Sequence, residues 1–75
     1  MDIDGALTRV VWQELALRGS GLPWLARESG IPERTLRNIL TSGQAVKLWH
    51  VCRISQALGV PCAEMVARAD SMVEH

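Results

Sequence analysis

Arg34 and Arg37 stand three residues apart, and Asn38 follows at once. On a helix this spacing puts both arginines on one face, with the asparagine beside them. A guanidinium is a rigid fork of donors that fits a phosphate or the O6/N7 edge of guanine, and a carboxamide matches the N6/N7 edge of adenine. Glu33 lies four residues before Arg37. It can hold that arginine or accept from cytosine N4, and the spacing favours the first. Taken alone, arginines on a helix are more often solvated charge, so the decision rests on the elements that present them.

The remaining reactive side chains offer little else. His50 and His75 have no partner at metal-ligand spacing and are read as non-ligands. Cys52 and Cys62 are too few for a disulfide framework and match no zinc motif, so both are expected to be reduced and at least half-buried. No nucleophile–base–acid set and no glycine-rich phosphate loop is present. The expectation is therefore no enzyme, no metal and no cofactor.

The positioning elements read as five helices, and no stretch alternates with period two long enough for a strand. A first helix is expected over about 4–17, capped by Asp4, with Leu7, Val10, Val11 and Leu15 as its apolar stripe. Gly19-Ser20-Gly21 breaks it. A second starts near Leu22 with Pro23 in its first turn, turns Leu25, Ala26 and Ser29 to one side, and ends at Gly30. A third, about 32–41, has Leu36, Ile39 and Leu40 inward and Glu33, Arg34, Arg37, Asn38 and Thr41 elsewhere. A fourth covers about 46–58, with Leu48, Val51, Cys52, Ser55 and Leu58 inward and Ile54 partly off that face. Pro61 opens a fifth through Met65, Val66 and Ala69. One domain over 1–70 results, with 71–75, and Asp70 at their edge, as a frayed tail.

Between the second and third helices lie only a glycine and an apolar residue before a first-turn proline, Gly30-Ile31-Pro32. So tight a joint makes the helices cross steeply. It needs a small residue at the crossing (Ala26), one that tolerates φ > 0 (Gly30), and inner anchors (Leu25, Ile31, Leu36, Ile39), and all are present. Together with Ala57-Leu58-Gly59-Val60-Pro61 and Glu64-Met65-Val66, the run Gly30-Ile31-Pro32-Glu33-Arg34-Thr35-Leu36 resembles the lambda-repressor-like (Xre/Cro-type) helix-turn-helix family over about 21–66. The departures are Leu22 where the family often has glutamine, Leu40 where glutamate is common, and a loop one residue longer at Thr41-Ser42-Gly43.

The resemblance implies an all-α, five-helix DNA-binding domain whose third helix enters the major groove. Glu33, Arg34, Arg37 and Asn38 would then face base edges. Thr35, Thr41, Ser42, Gly43, Gln44 and Lys47 would meet the phosphate backbone, with Arg27 a weaker candidate. It also implies a sequence-specific regulator of Cro-like or small phage or prophage repressor type, acting on double-stranded operator DNA as a homodimer, with no small-molecule ligand.

Three tryptophans remain. Trp12 is expected in the core or at its edge and Trp24 partly buried; Trp49, with Met65, Val66, Met72 or Val73, is a candidate dimer patch. The chain has 75 residues and 8 basic against 8 acidic side chains, a net charge of zero. Neutrality is unusual for a DNA binder, and with Leu22 it supports an alternative, a protein-interaction module of the same fold, antitoxin-like or a repressor subunit. No run of about 20 apolar residues is present, and the acidic start Met1-Asp2-Ile3-Asp4 is unlike a secretory signal, so a cytoplasmic setting is the default expectation.

Overall fold

In the computed structural model, which describes residues 1–41 and 45–73, the chain forms five α-helices and, among those residues, no strand. They are α1 (Ile3–Arg18), α2 (Leu22–Ser29), α3 (Glu33–Thr41), α4 (Leu48–Leu58) and α5 (Cys62–Met72). None is long and apolar enough to cross a membrane.

Helix α1 starts earlier than its pattern suggested. Asp2, not Asp4, is the cap, and its carboxylate accepts from Gly5 N at 2.7 Å. Asp4 is thereby released to reach across the fold, where its Oδ1 accepts from Val46 N at 3.3 Å. The expected stripe of Leu7, Val10, Val11 and Leu15 is buried, joined by Ala6. At the other end Gly19 is left-handed, and Ser20 N bonds Leu15 O while Gly19 N bonds Ala16 O. That pair of bonds satisfies two of the last four carbonyls of the helix.

The core joins all five helices. Leu15, Leu25, Ile31, Leu36, Ile39, Ile54, Leu58 and Met65 are each at most 1% exposed. Burying a side chain of this size stabilises by about 1.5–3 kcal/mol. Helix α1 packs mainly on α5, α2 packs on α3 and α4, and α4 packs on α5. The chain's two ends are thus clasped together, and an ion pair reinforces the clasp: Arg68 meets Glu14 at 2.6 Å.

Helix α4 differs most from expectation. It begins at Leu48, not near Val46, because Lys47 is extended as its N-cap and Val46 N is turned toward Asp4. Its buried stripe is His50, Val51, Ile54, Ser55 and Leu58. Leu48, expected inside, is 73% exposed, and Ile54, expected partly off the face, is 1% exposed. Helix α5 continues through Asp70 and Ser71 to Met72, and Met72 and Val73 pack on the core, so the expected tail does not begin at 70 or 71. Ala69 is fully buried and draws the next turn in with it.

Candidate functional site

The joint between α2 and α3 is set by four local contacts. Gly30 adopts φ 73°, which only glycine takes without cost, and its N–H bonds Ala26 O at 3.0 Å. The buried Ser29 turns its hydroxyl to accept from Ile31 N at 3.2 Å. That donor would otherwise be orphaned inside the protein, at a cost of about 1–3 kcal/mol. Ile31 is 1% exposed and plugs the angle between the helices. Leu36 N then bonds Pro32 O at 3.0 Å and starts the α3 ladder. The chain therefore does not run straight through Gly30.

Helix α3 is strongly two-sided. Leu36, Ile39 and Leu40 face the core, while Arg34, Arg37, Asn38 and Thr41 are exposed. Glu33 and Thr35 are half-buried. Arg37 Nη2 meets Glu33 Oε1 at 2.8 Å, the favoured role of Glu33. With side chains 61% and 40% exposed, that pair is worth only about 0.3–0.5 kcal/mol. Among the described residues Arg34 takes part in no salt bridge. The Thr41 hydroxyl donates to Arg37 O, so it is spent on its own helix in this state.

Helix α3 is held from behind at its far end. Trp12 Nε1 donates to Leu40 O at 3.1 Å, which satisfies a terminal carbonyl and fixes α3 to α1. Trp12 is 37% exposed, so it lies at the core edge as expected. Leu22, where a polar contact residue would be useful, is buried as the first residue of α2.

The other candidate contacts have unequal support. Lys47 and Arg27 are exposed. Lys47 caps α4 with no side-chain hydrogen bond to its first turn, and a cation there opposes the helix dipole. An anion at that end would relieve both. Ser42, Gly43 and Gln44 lie outside the described residues, as does His75.

Several features had a weak signal in the sequence or none. Arg53 of α4 reaches the α2–α3 turn, its Nη1 about 3.6 Å from where a Cβ on Gly30 would stand. It adds a cation beside the joint, and no spacing rule pointed to it. His50 is buried with Nδ1 unpartnered, and burial, helped by Lys47, holds its pKa below the usual 6.5. A stripe drawn by hydrophobicity passed it over and ran through Leu48 instead. Trp24 is half-buried under the Arg18 guanidinium, 5.7 Å from its ring centre. Trp49 is 53% exposed and Val66 39%, but Met65 is fully buried and Met72 and Val73 are half-buried, so the suggested dimer patch loses its middle.

Among the described residues no group of three His, Cys, Asp or Glu is placed to hold a metal. No protein-family model matches the chain, and no curated protein or solved structure matches it either.

Proposed function

We propose that this protein is a sequence-specific, double-stranded DNA-binding transcriptional regulator with a lambda-repressor-like helix-turn-helix, of the Cro-like or small phage or prophage repressor kind. The observation that carries the reading is the α2–Gly30–α3 elbow with Arg34, Arg37 and Asn38 on the outer side of α3. Nine residues make α3 about 13 Å long. A major groove about 12 Å wide admits a helix, whose diameter with side chains is about 10–12 Å.

The exposed pair with Glu33 is weak enough to leave Arg37 available to a base. A bidentate arginine–guanine contact discriminates by about 1–3 kcal/mol, several times the worth of the exposed ion pair it replaces. Arg34, one turn back on the same face, reads a neighbouring base, and Asn38 suits adenine. Lys47 and the first turn of α4 take a phosphate, with Thr35, Thr41 and Arg27 as further backbone contacts. One module of this size makes few contacts, so a two-fold dimer is part of the proposal. Its half-sites would lie one helical turn apart, about 34–36 Å. Such work is done in the cytoplasm.

The test is fluorescence anisotropy on random and selected duplexes over a range of salt. Affinity should fall with a log–log slope of about −0.9 per phosphate contacted. Lys47→Ala should weaken every duplex alike and flatten the slope by roughly one contact. Flat or absent binding would leave the second reading, a protein-interaction module of the same fold. The observations that favour it are Leu17 and Leu48, 81% and 73% exposed, and the zero net charge.

A further inference from the structure

Cys52 and Cys62 are ten residues apart in sequence, yet their sulfurs lie 3.9 Å from one another. Cys52 sits in the second turn of α4, and Cys62 is the first residue of α5. The turn Gly59-Val60-Pro61 folds α5 back on α4 so that the thiols meet. Both are free and half-buried, and they line an open groove with Ser55, Gln56 and Val60. A buried pair would be sealed from any reagent, and a fully exposed pair would have no fixed geometry. This one has contact and access together.

The surroundings hold the pair in register. Ser55 Oγ donates to Cys52 O at 2.8 Å, and Val60 N bonds Ser55 O at 3.1 Å. The hinge and the Cys52 turn are thus tied through one residue. Gly59 at φ 70° makes the reversal, and Gly59 N bonds Gln56 O at 3.3 Å. The sulfurs lie 3.9 Å apart, so the two side chains already face one another across the turn.

We propose that Cys52 and Cys62 are a reversible redox pair, which a small disulfide such as oxidised glutathione converts to an internal disulfide stapling α5 to α4. The chemistry is two successive exchanges. One cysteine, as thiolate, attacks a sulfur of oxidised glutathione and expels one glutathione thiolate. The second cysteine, deprotonated in turn, attacks the protein sulfur of the mixed disulfide and expels the other. Two protein thiols and one oxidised glutathione become one protein disulfide and two reduced glutathiones. Two electrons pass to the oxidant, and the two thiol protons end on the glutathiones. Burial and the neighbouring Cys52 push the Cys62 thiol up, with Ser55 pulling weakly the other way. Exchange should therefore quicken as pH rises above neutral. The groove is lined by residues of α4, α5 and the turn between them and by none of α3, so this inference does not rest on the DNA-binding reading.

The experiment equilibrates the full chain in glutathione buffers of graded ratio, with a chelator present, in native buffer and in urea. Acid quench, alkylation and mass spectrometry then count thiols. The expected native product is a monomer about 2 Da lighter with no alkylatable thiol. Its formation should be about 100-fold more favourable than in urea, the factor expected when the fold pre-aligns a loop this short. Cys52→Ser and Cys62→Ser should each stop at one glutathione adduct. Native and unfolded constants that agree within a few-fold would overturn the proposal. So would native protein that ends as glutathione adducts or as cross-linked dimers.

Discussion

The chain makes two sharp turns with nearly the same sequence, Gly30-Ile31-Pro32 and Gly59-Val60-Pro61. Both glycines are left-handed, at φ 73° and 70°, and a helix follows each proline at once. The difference lies in what surrounds the turns. Ile31 is sealed in the core and Ser29 satisfies its amide from within. Val60 is half-buried, and its amide returns to Ser55 O as an ordinary helix-end bond. Beyond the first turn α3 offers arginines to the outside; beyond the second, α5 begins with a thiol facing another. One backbone device serves both places, and the side chains hung on it decide what each region can do.

The comparison is tested most strongly through the packing behind α3. Leu36→Ala should cost about 2–5 kcal/mol in urea unfolding, because Leu36 is fully buried beneath the first turn. A loss below 1 kcal/mol would mean that the α2–α3 elbow is not fixed by its core. Arg37→Ala should behave in the opposite way. Stability should change by no more than about 0.5 kcal/mol, while discrimination at one base pair falls by about 1–3 kcal/mol in competition binding. A variant that loses stability but keeps selectivity would remove Arg37 from the reading surface. Gly30→Ala and Gly59→Ala should each cost about 1–2 kcal/mol, since alanine pays for a left-handed backbone at either turn. Only the first should also weaken DNA binding beyond its loss of folded protein.

The smallest effect is the pH response of α4. Burial, and then Lys47, lower the pKa of His50 on folding, so the unfolded chain binds the extra proton more readily. Its contribution is complete above the unfolded pKa of about 6.5 and is lost as pH falls through that value toward the lower folded one. Denaturation midpoints should therefore drop between pH 7 and 5. His50→Leu should flatten that slope; an unchanged slope would assign it to other groups.

Much of the fold was legible because the buried apolar residues of α1, α2 and α3 recur at helical spacing, and Gly19 and Gly30 stop the first two helices. The reading failed where residue type and position disagree. Leu48 is apolar and lies outside, whereas His50 is polar and lies inside, so a stripe drawn by hydrophobicity started one face away. It also failed where a bond spans the chain. Asp4 looked like a cap but serves Val46, and Asp2 caps in its place. The arginine face of α3 was visible from spacing, whereas the approach of Arg53 to Gly30 and the contact of Cys52 with Cys62 exist only once α4 is folded against its neighbours.

The central claim is that the outer side of α3 reads a duplex. Selection of bound sites from a random double-stranded DNA pool, run with the native chain and with Arg37→Ala, tests it most directly. The native chain should enrich a two-fold symmetric site with half-sites about 34–36 Å apart, and the variant should lose preference at one base pair in each half. A pool that stays random with the native chain, or one enriched identically by both proteins, contradicts it.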